Sequence, residues 1–242
     1  MYLPCRGGYI SKKSEYWLIF NNNMKYILLS LSVVLLFSCS SQKETISDFS
    51  SSEPTQEKKL ILALWDSLTA GYGVEESSNY PSQFWAMLEA EWYNYTLINA
   101  GVSGDTSNNL LDRADLYLEK NPDIVILVIG GNDGLRGLPT SEMKENIEEI
   151  ISMYTQDGSK VVLWGMDIPL NLGLDYRSDF RQVYTDIAQE NKEIYFLPFF
   201  LEGVAGKASL NLADKIHPTA EGYTLISQNL MKFLEQEDII QK

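Results

Sequence analysis

Four stretches of this chain carry residue types that acyl transfer needs: a nucleophile, a base with its orienting group, and donors for an oxyanion. Ser67 follows the apolar run Leu60-Ile61-Leu62-Ala63-Leu64 through Trp65-Asp66 and leads into the glycine-punctuated Leu68-Thr69-Ala70-Gly71-Tyr72-Gly73. Asn99-Ala100-Gly101-Val102-Ser103-Gly104-Asp105-Thr106 is a second such loop, where glycines let backbone N–H groups approach a ligand. Gly130-Gly131-Asn132-Asp133-Gly134-Leu135-Arg136-Gly137 is the third, with a side-chain amide donor at Asn132. The fourth is Asp214-Lys215-Ile216-His217-Pro218, in which an Asp–x–x–His spacing brings a carboxylate near an imidazole. His217 is the only histidine in the chain, so a serine–histidine mechanism has one available base. Taken singly, each stretch also reads as a turn or a helix cap. The nucleophilic reading rests on all four lying at strand ends.

The elements that must position these residues follow from hydrophobic periodicity. Strands are expected at 60–64, 96–99, 123–129, 160–166 and 193–197. Helical spacing falls at 81–93, 107–119, 141–155, 176–190 and 220–234. Val125-Ile126-Leu127-Val128-Ile129 is apolar throughout, as a parallel strand covered on both faces requires. Alternation of strand and helix predicts an α/β fold: a three-layer α/β/α sandwich around about five parallel strands. Chemistry in such a sheet collects beyond the carboxyl ends of its strands.

Bulk properties remove several classes of function. The 242 residues are 45% hydrophobic, enough for one core, and carry a net charge of −14. That acidic balance argues against a nucleic-acid partner. Cys5 and Cys39 both precede the globular part, so no internal disulfide and no cysteine metal site is expected there. Residues 1–23 lack periodicity, and translation is expected to start at Met24. From Met24 to Ser38 a basic start and an apolar run describe a signal peptide, and Leu36-Phe37-Ser38-Cys39 resembles a bacterial lipobox. The expected mature protein begins at a lipidated Cys39, followed to residue 58 by a polar tether reaching about 25 Å. This would hold the 59–242 domain in the bacterial cell envelope through a membrane lipid anchor.

The four stretches, with Leu197 to Val204, resemble the SGNH (GDSL-type) hydrolases, and most closely the bacterial acyl-CoA thioesterase, lysophospholipase and arylesterase subgroup. The likeness spans about 59–233. It implies a flavodoxin-like fold, Ser67 as nucleophile, His217 as general base and Asp214 as its orienting group. The Ser67 and Gly104 N–H groups and the Asn132 side chain would form the oxyanion hole. It also implies a monomer that needs no cofactor and no metal, acting on a small acyl ester, thioester or lysophospholipid.

One position departs from the family's pattern: Trp65 stands where Gly-Asp-Ser has glycine. Either Trp65 has ordinary extended angles and fills neighbouring space, or the nucleophile loop has shifted; a separate alternative is a catalytically impaired descendant that binds acyl or glycan ligands, with Trp65 blocking the oxyanion hole. Carbohydrate O-acetyl esters are a further substrate alternative. A conventional α/β-hydrolase is disfavoured, since no Gly-x-Ser-x-Gly occurs. Leu135, Leu138 and Pro139, and Ile168-Pro169-Leu170 with Leu172 and Leu174, are expected to give the mouth of the site an apolar lining.

Overall fold

The computed structural model describes residues 57–242; the expected signal peptide, Cys39 and nearly all of the tether lie outside them. Five strands form one parallel sheet: β1 (Lys59–Trp65), β2 (Tyr95–Gly101), β3 (Ile124–Val128), β4 (Lys160–Trp164) and β5 (Tyr195–Leu197), in the order β2-β1-β3-β4-β5. The two strands richest in aliphatic side chains take the middle. Every residue of β3 is buried, as are the last five of β1, because helices cover both faces there. The edge strands β2 and β5 are only partly covered.

Among the described residues the α-helices are α1 (Ser67–Ala70), α2 (Tyr80–Ala90), α3 (Ser107–Ala114), α4 (Gly131–Arg136), α5 (Thr140–Gln156) and α6 (Leu174–Glu190) between strands, and α7 (Ala220–Gln236) after the last strand. Helices α2 and α7 pack together in one layer, while α5 packs against both α3 and α6 in the other. Side-chain caps set several helix starts: Asn79 Oδ1 accepts from Ser82 N at 2.8 Å, and Thr106 and Asn109 form a reciprocal capping box.

The expected elements are all present, with two differences. The helix expected over 107–119 is α-helical only to Ala114 and continues as a 3₁₀ turn, Asp115–Lys120, stopped by Asn121 in the left-handed region. The two short helices α1 and α4 occupy stretches that read as loops. Strand order reverses between β1 and β3, so the segments after β1 and β3 face the crevice at the switch point. Those segments carry Ser67 and Asn132.

Candidate active site

Ser67 begins a four-residue helix, which a serine alone would not nucleate. The preceding residue supplies the cap: Asp66 Oδ1 accepts from Leu68 N at 3.0 Å. The turn then closes through Gly71 N and Tyr72 N, both donating to Ser67 O. Its back rests directly on the end of β2. A Cβ on Gly101 would stand 2.3 Å from Ala70 N, so only glycine permits that contact.

His217 Nε2 lies 2.8 Å from Ser67 Oγ, and His217 Nδ1 lies 2.7 Å from Asp214 Oδ2. The segment from Asp214 to His217 is a tight turn rather than a helical one, with Lys215 at φ +62°. Asp214 Oδ1 accepts from Ile216 N at 2.9 Å and from His217 N at 3.0 Å, which leaves Oδ2 for the ring. Leu212 N bonds His217 O, and an isolated bridge joins Asn211 to Pro218, so the turn is held against its own stem. Burial works to raise the Asp214 carboxyl, but the Ile216 and His217 bonds together outweigh it and hold it down at about 2. An ionised Asp214 takes the Nδ1 proton as a hydrogen bond, which leaves Nε2 as the acceptor facing Ser67. Tyr72, an exposed side chain that the sequence did not single out, lays its ring against the imidazole at 4.6 Å between centroids.

Asn132 stands on the first turn of α4. Its Nδ2 donates to Asp66 Oδ2 at 2.5 Å and to Asp105 O at 2.9 Å. Gly104 precedes that carbonyl at φ +91°, and Arg136 donates to Gly104 O at 2.8 Å. Neither Ser67 N–H nor Gly104 N–H donates to an acceptor among the described residues, so both remain available to a ligand. Arg113 ties this frame together, reaching Asp105 Oδ2 at 2.7 Å, Ala100 O at 3.0 Å and Trp65 O at 3.2 Å.

Ser67, Asn132 and His217 line one cleft of about 340 Å³. Its apolar wall comes from Leu135, Ile168, Pro169, Phe199, Leu201 and Ile216. Of the expected lining residues, Leu135, Ile168 and Pro169 belong to it, while Leu138, Pro139, Leu170, Leu172 and Leu174 do not. Leu138 N turns inward to cap α4 through Asp133 O, and Pro139 then starts α5, which carries both past the mouth. Leu170 sits half-exposed on a 3₁₀ turn beyond Pro169. At the rim Arg177 and Asp167 form a two-pronged ion pair, Nε to Oδ1 at 2.8 Å and Nη2 to Oδ2 at 2.5 Å. Among the described residues no group of three His, Cys, Asp or Glu side chains is arranged to hold a metal ion.

Trp65 keeps strand geometry as the last residue of β1. Its side chain is fully buried, edge-on to Phe200 at 5.4 Å and beside Gly131. The first of the expectations for it therefore describes the structure: Trp65 has extended backbone, fills space beside Phe200 and Gly131, and forms part of the floor of the cleft.

Residues 63–225 match the GDSL-like lipase/acylhydrolase family. The chain belongs to that family. This hydrolase is 35% identical to esterase TesA of Pseudomonas aeruginosa over 176 residues, covering 72% of this chain and 87% of the relative. It is 34% identical to an arylesterase of Vibrio mimicus over 191 residues, covering 77% and 95%. Among solved structures, the crystal structure of TesA superposes with a TM-score of 0.70 at 34% identity, covering 74% of this chain and 99% of that one. The psychrotrophic esterase EstA from Pseudoalteromonas gives 0.71 at 30% identity, covering 74% and 98%. These likenesses make the protein a GDSL-type esterase-family enzyme.

The site also contains a deeply buried carboxyl beside the nucleophile. Burial pushes Asp66 up to about 8, aided by the neighbouring Asp105 and Asp133 carboxylates and opposed by the Leu68 N–H bond. In the unfolded chain the same group titrates near 3.8. Between those values the folded protein holds a proton that the unfolded chain has released, so stability falls as pH rises from about 4 to about 8 and is flat beyond. Urea unfolding across that window should show this slope in the wild type and a clear flattening in Asp66→Asn.

Proposed function

We propose that this hydrolase cleaves carboxylic ester or thioester bonds of acyl substrates, with Ser67 as nucleophile, His217 as general base and Asp214 as the orienting carboxylate. The observation that carries the reading is the unbroken chain from Ser67 Oγ to His217 Nε2 and from Nδ1 to Asp214 Oδ2, opening on an apolar cleft. His217 takes the Ser67 proton as Oγ attacks the acyl carbon, then returns it to the departing alcohol or thiol. Water repeats the cycle on the acyl-enzyme. The charge on the carbonyl oxygen is met by the N–H groups of Ser67 and Gly104 and by the Asn132 amide. Asn132→Ala should therefore lower kcat by about 10²–10³-fold with little change in KM, measured on an aryl ester.

The curated relatives are named as an esterase and an arylesterase, which supports ester substrates of this kind. A wall of leucine, isoleucine and phenylalanine side chains favours acyl or aryl groups over acetylated sugars. The test is a hydrolysis panel of p-nitrophenyl esters of increasing chain length, an acyl thioester, a lysophospholipid and an acetylated sugar. Turnover highest on the acetylated sugar would overturn the substrate assignment. The basic-apolar segment ending at Cys39 is read as the signal of an exported lipoprotein, and the mass of the mature N-terminus tests that reading.

A further inference from the structure

Asp66 has two carboxyl oxygens, and helix capping uses only one of them. Oδ1 accepts from Leu68 N, which is enough to start α1. Oδ2 is turned the other way, onto the amide of Asn132 at 2.5 Å. The second proton of that amide goes to Asp105 O at 2.9 Å. Asp66 is 3% exposed and Asp105 is 9% exposed, so neither hydrogen bond is readily replaced by water. Both sides of this fork are anchored to the frame of the site. Asp66 is fixed by its cap and by its place directly after β1. The Asp105 segment is held by Arg113, which grips its carboxylate together with the carbonyls of Ala100 and Trp65.

A side-chain amide has a donor end and an acceptor end of nearly equal size, and packing alone distinguishes them poorly. Two acceptors, Asp66 Oδ2 and Asp105 O, face the same atom of Asn132. The Asp105 carbonyl can only accept, and Asp66 Oδ2 accepts when the carboxyl is ionised, so a flipped amide would then lose two buried hydrogen bonds. The pair of acceptors thus dictates which end of the amide stands at the nucleophile. It also engages both N–H bonds in the resting enzyme, so an oxyanion must take a share of one of them.

We propose that Asp66, as its carboxylate, is a positioning residue for the reaction: its Oδ2 compels Asn132 to present Nδ2 rather than Oδ1 beside Ser67, and shares that amide with the oxyanion as the tetrahedral intermediate forms. The proposal rests on the reading of Ser67 and Asn132 given above. It separates two jobs of one carboxyl, since Oδ1 builds the helix that carries the nucleophile and Oδ2 sets the donor that receives the charge. Because the oxyanion exists only after attack, loss of the second job falls on kcat and leaves KM unchanged.

Asp66→Asn tests this selectively. Asparagine caps a helix as well as aspartate does, so its carbonyl oxygen keeps Leu68 N. Its NH₂ then faces the Asn132 amide and removes the reason for that amide to keep its orientation. Aryl-ester kinetics are measured at about pH 9, where the Asp66 carboxyl is ionised, for wild type, Asp66→Asn, Asn132→Ala and the double variant. Asp66→Asn is expected to lower kcat about 10–100-fold with KM within about twofold, and to change kcat less than about threefold in the Asn132→Ala background. An equal loss in both backgrounds, a loss confined to KM, or no loss at all overturns the proposal. Asn132→Ala at wild-type kcat would instead remove the oxyanion assignment on which it rests, and the cycle separates these two failures. Asp66→Ser, which also caps but offers no second acceptor, gives the same comparison should the Asn variant fail to fold.

Discussion

Replacing Ser67 by Ala is expected to lower ester turnover by about 10⁶-fold while leaving the fold intact. The loss is chemical because the Ser67 side chain has one hydrogen-bond partner, His217 Nε2. Its helix is capped by Asp66, and alanine at the first helical position costs nothing in propensity. The backbone N–H at position 67 survives the substitution, as do Gly104, Asn132 and the cleft. A residual rate above water is therefore expected, on the order of 10³-fold, from donors that still meet the oxyanion of a water-attacked ester. A fluorophosphonate probe should label the wild type at one site and leave Ser67→Ala unlabelled, with the two proteins melting together. Retention of more than about a tenth of wild-type turnover would remove Ser67 as nucleophile, whatever the melting curve shows.

How far the sequence could be read depended on which physical signal each part carries. The sheet was legible because β1, β3 and β4 are short apolar runs that only burial explains, and because breaks such as Asn121-Pro122 separate them from helices. Helix α4 was not, since Gly-Gly-Asn-Asp-Gly has turn chemistry, and only the site around Asn132 and Asp133 makes it a helix. Asp133 supplies one reason: its carboxylate accepts from the N–H and the hydroxyl of Ser107 at 2.9 and 2.6 Å, which pins α4 to the start of α3. The Asp214 and His217 spacing was legible as a pair but not as geometry. Nothing local announces that Lys215 takes a left-handed conformation, yet that residue is what lets one carboxylate reach two backbone N–H groups and the ring. The expected lining by Leu138, Pro139 and Leu170 failed because it assumed that leucines near a strand end face the ligand, whereas Leu138 N and Pro139 are used to end one helix and begin another. Asp66 was visible only as the neighbour of Ser67. Its bond to Asn132 spans 66 positions in the chain, a distance over which spacing carries no information.

Trp65 is where sequence and structure press hardest on each other, and Trp65→Gly should destabilise the protein by about 3.5–6 kcal/mol without raising its activity. Removing a fully buried indole costs about 3–5 kcal/mol in similar cores, and glycine in a strand adds roughly 0.5–1 kcal/mol of backbone entropy. The neighbours cannot close the gap easily, because Phe200 is itself wedged against Tyr80 and Trp164 with centroids 5.4 and 4.6 Å away. Trp65 O also accepts from Val102 N at 2.8 Å and from Arg113, so a collapsing strand end would disturb the frame that holds Asp105. Activity should fall or stay level, since the indole is fully buried beneath the cleft and Ser67 Oγ already stands 2.8 Å from His217 Nε2. Trp65→Phe separates packing from polarity. The indole N–H has no partner among the described residues, and a buried donor left unpaired costs about 1–3 kcal/mol. Phenylalanine gives up part of the packing but also removes that unpaired donor, so a net change within about 1–2 kcal/mol is expected. Urea unfolding of both variants beside aryl-ester kinetics reads the two effects together. A Gly variant as stable as the wild type and severalfold faster would mean that the indole obstructs the site rather than supports it.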